Sequence, residues 1–214
     1  MLEQGSAYSE STRMDIRETI ANRLERVGWC IADGVVSPQL AAELGDEMLA
    51  LWQNGDFRPA GIGRGGNFHI NTKQRSDWVR WLDPQLTTPG QQRLLAWMEQ
   101  LRLTLNRELQ LGLFEYEGHL AIYPPGSHYS KHLDRFQGTE QRTLTCVLYL
   151  NRDWEATDGG ALRIYCDPSD AGRYQDILPL DGRLVCFLSG RFAHEVLPAR
   201  RNRLSITGWF KARS

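Results

Sequence analysis

Arg203-Leu-Ser-Ile-Thr-Gly-Trp209 alternates residue by residue, so an extended backbone puts Arg203, Ser205, Thr207 and Trp209 on one face and Leu204 and Ile206 on the other. One face is apolar, and the other starts with a guanidinium where hydrophobic side chains normally go. Burying a charge without a partner costs on the order of several kcal/mol, so a buried Arg203 needs an anion beside it. A carboxylate held at two points suits its planar fork. The alternative is an edge strand with the arginine in water.

Working outward, this stretch is the last of six short β-rich runs. The others are 119–123, 142–150, 161–165, 183–188 and 194–197. Turn residues separate them: Pro124-Pro125-Gly126, Asp158-Gly159-Gly160, Asp181-Gly182 and Ser189-Gly190. Many short strands with frequent turns predict a sandwich or barrel of the jelly-roll kind. Before them lie three amphipathic helices. Ile16, Ile20, Leu24 and Val27 line the first, which stops at Gly28. Ser37 and Pro38 open the second, which carries Leu40, Leu44, Met48 and Leu51 and ends at Asn54-Gly55. The third follows Pro89 and Gly90, with Leu94, Leu95, Met98, Leu101 and Leu105 on one face. The expected class is therefore α+β, mainly β, with the helices packed outside the barrel. Gly61-Ile-Gly-Arg-Gly-Gly-Asn67 lacks the lysine and the strand-to-helix context of a phosphate loop, so it reads as a flexible loop leading into an exposed hairpin at about 69–81 that could cover a site.

One domain over residues 1–214 is expected: a polar tail at 1–14, helices and a mobile loop at 15–117, and the β core at 118–211. With 25 basic and 26 acidic residues the net charge is -1, which gives no field for nucleic acid or an anionic membrane. No apolar run reaches the length of a membrane span, and the first residues lack a signal-peptide core. Cys30, Cys146, Cys166 and Cys186 form no C-x-x-C pair, and the last three lie in strand-like runs. They read as buried thiols of a cytoplasmic protein, expected to be monomeric.

Tyr129-Ser-Lys-His-Leu-Asp134 reads as extended, so His132 and Asp134, two residues apart, point to one side. With His194 from a distant strand they make a set of two imidazoles and a carboxylate, which leaves three adjacent positions open on iron(II). Taken singly, each histidine is as well explained as a solvated side chain. Tyr149 shares a strand face with Val147 and Thr145 and either donates to the carboxylate at Arg203 or is a core tyrosine. Tyr123 and Tyr129 either line the same pocket or pack.

Together, Tyr123-Pro, His132-Leu-Asp134, Leu148-Tyr-Leu-Asn151, Asp153-Trp154, Gly159-Gly-Ala-Leu-Arg163, His194-Glu-Val196 and the run from Arg203 to Trp209 resemble prolyl 4-hydroxylases of the hypoxia-sensing type. The resemblance covers roughly residues 118–211. It implies a double-stranded β-helix and a dioxygenase that uses iron(II), 2-oxoglutarate and dioxygen, with ascorbate as a reductant. It also implies a prolyl residue of a protein as substrate, oxygen sensing as a role, and a translation factor or ribosomal protein as a candidate partner. Carried over position by position, it makes His132, Asp134 and His194 the iron ligands, and Arg203 and Tyr149 the holders of the distal carboxylate of 2-oxoglutarate. Val147, Leu162 and Thr207 would line the pocket, and Tyr123, Tyr129 and Trp209 are assigned to it with them. Catalysis would rest on His132, Asp134, His194 and Arg203. Collagen-type relatives have lysine where Arg203 stands. The stretch from Tyr123 to His132 is about one residue short of the family pattern, with His128 where a small residue is usual, and 70–81 matches the substrate-contacting loop only as a loose Arg-x-Asp-Trp.

Three other readings use the same residues. A zinc hydrolase would pair His128 with His132 at helical spacing, though no Glu follows His128 and Pro124-Pro125-Gly126 disfavours a helix. A binding module would keep the fold without redox chemistry. A hydroxylase of the same class would act on another side chain or a free small molecule.

Overall fold

The computed structural model describes residues 15–63, 69–134, 142–167, 169–170 and 172–213. The proposed tail at 1–14 and part of the glycine-rich loop lie outside these residues. In chain order the elements are α1 (Ile16–Val27), β1 (Trp29–Ala32), α2 (Pro38–Gln53), β2 (Arg58–Pro59), β3 (Trp78–Trp81), α3 (Pro89–Leu109), β4 (Leu113–Tyr123) and β5 (Tyr129–His132). Then follow β6 (Arg142–Tyr149), β7 (Leu162–Tyr165), β8 (Tyr174–Ile177), β9 (Leu184–Leu188), β10 (His194–Val196) and β11 (Arg203–Ala212).

Each helix begins where a side chain accepts from an otherwise unpaired backbone N–H. Asp15 accepts from Arg17, Ser37 from Leu40 and Thr88 from Gln91. The expected stripes are the buried faces, except that α3 begins at Pro89 itself, so Pro89 and Gly90 form its first turn rather than precede it. Gly90 sits there because a side chain would meet Glu43 of α2.

The strands form two antiparallel sheets, ordered β1-β9-β6-β11-β4-β3-β2 and β5-β10-β7-β8. Their facing surfaces enclose one apolar cluster, which includes Tyr123, Val147, Tyr149, Leu162, Ile164 and Phe187. The other face of the larger sheet is buried under the helices, where Leu204 and Ile206 meet Leu101, Leu105 and Met98. The two-residue period of β11 therefore sorts its side chains as expected: the aliphatic ones go under the helices and the arginine face goes inside the jelly roll.

Several expectations are corrected. The segment 69–81 is not an exposed hairpin. Trp78–Trp81 pairs along β4, and Asp77 and Val79 are buried, because Val79 completes the apolar surface next to Ala121. The run expected at 119–123 starts at Leu113, because the long β11 supplies partners as far as Ala212. Cys166 is exposed, just past the end of β7, while Cys30, Cys146 and Cys186 are buried side by side at one level of β1, β9 and β6. The short strands β1, β2 and β8 have no counterpart among the expected runs.

Candidate metal centre and anion pocket

His132 closes β5 and His194 opens β10, and the two are register partners across this antiparallel pair. Asp134 follows β5 by two residues, and one ligand atom from each of the three lies within 4.8 Å of the others. The Nε2 atoms of His132 and His194 face Asp134 at 3.4 and 3.6 Å. Each Nδ1 lies against a main-chain oxygen, that of Ser130 at 2.8 Å and of Phe192 at 3.1 Å. A carbonyl only accepts, so Nδ1 carries the proton in both rings and each Nε2 turns a lone pair toward the carboxylate. The donor chemistry fits a divalent metal: two imidazoles and one carboxylate, on one side of a cavity.

Charge at the centre follows from burial and neighbours. Burial pushes the His194 imidazole down to about 4, with His132 adding to the effect, so the ring is neutral near pH 7. Burial alone would raise the Asp134 carboxyl, but in acid the positive charge and N–H that the neighbouring imidazoles of His194 and His132 then offer outweigh it and hold the group below the usual carboxylate range. Thr145 donates to Asp134 at 2.8 Å and shares a hydrogen bond with Ser189, which fixes the carboxylate from behind. Tyr129 stacks on His132 at 3.5 Å between ring centroids. Arg75 lies over Tyr129 and pairs in two-point fashion with buried Asp77.

The cavity between the sheets measures about 560 Å³ and is lined by all eleven residues singled out from the sequence. Arg203, 1% exposed, stands at one end. Its Nε donates to the Gly160 carbonyl at 2.7 Å, and its guanidinium lies about 5 Å from the Tyr123 and Tyr149 rings. Gly160, with φ +66°, is the residue that permits this approach, since a side chain there would press on Arg203 Cδ, Ala199 and Trp154. No carboxylate among the described residues pairs with Arg203, and the buried hydroxyls of Tyr149 and Ser205 have no hydrogen-bond partner. One buried cation and two idle hydroxyls make a site for an anion.

Ser205 shares the Arg203 face in the sequence, and Thr145 the Tyr149 face, so both could have been singled out by alternation. Arg75, Asp77, Ser189 and His119 carry no such signal, because strand pairing across the sheet brings them in. His128 turns away from the centre to the Lys73 carbonyl, and the chain there is turn and strand, so the helical zinc pair does not form.

The profile of the 2OG-Fe(II) oxygenase superfamily matches residues 118–211. Human Egl nine homolog 1 is 31% identical over 90% of this chain, which spans 46% of that relative's length. The crystal structure of a Pseudomonas putida prolyl-4-hydroxylase superposes with a TM-score of 0.83, at 38% identity, covering 92% of this chain and all of that one. A Trichoplax adhaerens prolyl hydroxylase, solved with a hypoxia inducible factor peptide fragment, gives 0.81 at 27% identity, covering 91% and 88%.

Proposed function

The chain belongs to the prolyl hydroxylases of the 2OG-Fe(II) oxygenase superfamily, and from that premise we propose that it hydroxylates a prolyl residue of a protein substrate at the centre formed by His132, Asp134 and His194. With iron(II) and 2-oxoglutarate bound, such a site splits dioxygen, releases succinate and carbon dioxide, and leaves one oxygen atom on an unreactive C–H carbon.

The chain's own residues have separable tasks. His132, Asp134 and His194 hold the metal, with both Nδ1 protons committed to carbonyls so that only Nε2 is offered. Thr145 and Ser189 keep the Asp134 carboxylate aimed, and Tyr129 fixes the plane of His132. Arg203, Tyr149 and Ser205 bind the distal carboxylate of 2-oxoglutarate, the guanidinium as a fork and the hydroxyls as single donors. Val147, Leu162 and Thr207 shape the space between anchor and metal, and apolar Val147 and Leu162 keep water out of it. Tyr123 walls the guanidinium, and Trp209 closes the opposite side.

The observation that carries this reading is the buried Arg203, without a carboxylate partner among the described residues, at the far end of the cavity from two imidazole lone pairs and a carboxylate. A peptide fragment bound by the Trichoplax relative favours a protein substrate. A translation factor or ribosomal protein is the first partner class to test. Four free thiols suit a reducing compartment, which favours the cytoplasm, and no described helix is long and apolar enough to cross a membrane. Anaerobic titration with iron(II) and 2-oxoglutarate tests the site: a weak visible charge-transfer band is expected, absent from His132→Ala. A folded, metal-loaded protein with no band would overturn the assignment. Mass spectrometry of cellular proteins for oxygen added to proline, in the presence of active and inactive forms, tests the substrate.

A further inference from the structure

We propose that His119 is a substrate-positioning residue on the substrate side of the cavity, its Nδ1 accepting a hydrogen bond from a main-chain N–H of the protein segment being hydroxylated; this rests on the prolyl hydroxylase reading above.

His119 lies on β4, opposite Thr207 of β11 and opposite Trp81 of β3. It stands four residues along β4 from Tyr123, the register partner of Arg203, a separation of about 13 Å at strand rise. A five-carbon diacid held at Arg203 spans only about 5 Å with C–C bonds near 1.5 Å. His119 is therefore on the mouth side of the anion anchor, yet it lines the same cavity. It is 5% exposed, and its Nδ1 is buried with no hydrogen-bond partner.

The surroundings explain why no described residue satisfies that nitrogen. Its ring packs against Trp81 and Trp209, with centroids 5.0 and 5.4 Å away, in a cluster where the two indoles also touch each other at 6.2 Å. Arg142 is spread over the Trp209 ring at 3.5 Å and paired with Glu117, which Lys211 also holds. Arg75 is committed to Asp77. Burial first, then the Arg75 and Arg142 charges, push the imidazole down to about 3, so it is neutral and one ring nitrogen carries a lone pair. The cover is partly open: Trp81 is 41% exposed, its backbone lies beyond the two-residue reach of β2 and pairs with β4, and its ring rests on His119 and Trp209.

A peptide N–H is the donor that any extended segment offers whatever its sequence. The target proline has none, so the donor must belong to a residue flanking it. A buried ring nitrogen without a partner among the described residues, behind a tryptophan that is 41% exposed, thus reads the main chain beside the reacting residue and sets its distance from the metal.

The test uses iron- and 2-oxoglutarate-loaded wild type, His119→Met and His119→Asn, the last keeping a polar atom near the Nδ1 position. The probe is a pool of synthetic nonapeptides with a fixed central proline and randomised flanks. Two further pools carry an N-methyl group on the residue before or after the proline. His119→Met is expected to raise KM for the unmethylated pool at least tenfold while KM for 2-oxoglutarate moves less than twofold, and His119→Asn is expected to restore part of the loss. One methylated pool should be hydroxylated at least tenfold less efficiently than the unmethylated pool by wild type, and equally well by His119→Met. Quenching of tryptophan fluorescence by the unmethylated pool under anaerobic conditions should weaken in parallel in His119→Met. Unchanged peptide KM in His119→Met, or wild type indifferent to both methyl positions, overturns the proposal while leaving the function intact. A wild type that shows the charge-transfer band but forms no hydroxyproline in the pool overturns the prolyl reading, and this inference with it.

Discussion

Arg203 offers one guanidinium to whatever anion enters, and a hydrogen bond to a charged group contributes about 1.5–3 kcal/mol. Arg203→Ala is therefore expected to raise the 2-oxoglutarate KM by roughly ten- to a hundredfold, with a smaller, few-fold rise in Ser205→Ala, both read from succinate release; an unchanged KM in Arg203→Ala would show that the anion binds elsewhere. His119 gives a second prediction at this scale. Its folded value of about 3 lies below the ordinary 6.5, so the unfolded chain binds the extra proton between those values. Stability is then fully present above pH 6.5 and is lost as pH falls toward 3, and His194, held near 4, acts in the same direction. Asp134 is also depressed, and its contribution is lost only below the ordinary carboxylate value of 3.8, at the lower end of that window, so the loss above pH 4.5 belongs to the histidines. Between pH 6.5 and 4.5 the His119 contribution is about 2–3 kcal/mol. Urea titrations of the metal-free protein should show this loss, and His119→Met should flatten the slope. Arg203, the H-x-D pair and His194 were legible from residue type and spacing. His119 was not, because an isolated histidine in a run of β-formers acquires its meaning from the two tryptophans that other strands place beside it.

Among the elements, β3 shows how pairing overrides local composition. Trp78-Val-Arg-Trp81 follows a polar, glycine-rich stretch and reads as part of an exposed hairpin, yet Val79 fills a gap in the inner apolar cluster and the strand docks along β4. What ties the preceding segment down is the Arg75–Asp77 pair, with Asp77 1% exposed, together with the Ala60 N–H donating to the Asp77 carbonyl at 2.9 Å. Breaking a buried pair by removing one partner costs about 3–5 kcal/mol. Asp77→Asn is expected to lower stability by that order and to speed amide exchange at Ala60, and because Arg75 backs Tyr129 and Tyr129 backs His132, iron affinity should fall as well. Retained exchange protection with unaltered iron binding would show that strand pairing alone suffices. The helices were legible throughout, since a stripe at a 3.6-residue period repeats three or four times in each. The strands β1, β2 and β8 are two to four residues long, too short to repeat any period, and exist only because longer neighbours offer them partners.

For the whole molecule, both sheets line the cavity: β5 and β10 supply the histidines, while β11 and β6 supply Arg203 and Tyr149, the proposed anchor. Ligands that bridge the sheets should therefore stabilise the fold by mass action, by about 2.7 kcal/mol at a hundred times the dissociation constant. For a chain of this size that is roughly a 5–11 °C rise in Tm, so chelation should lower the melting temperature by a comparable amount and added iron(II) should restore it. A Tm indifferent to both would place the metal outside the folded core. The sequence by itself determined the periods and the chemistry: three helical stripes, alternating strands, and a guanidinium, two imidazoles and a carboxylate too costly to bury without a ligand. Only the tertiary structure decided which residues of separate strands meet, because register is set by side-chain packing between sheets and not by any local preference. That packing placed His194 opposite His132, opened Gly160 to Arg203, put Thr145 behind Asp134, and left His119 with a nitrogen that no residue of the described chain satisfies.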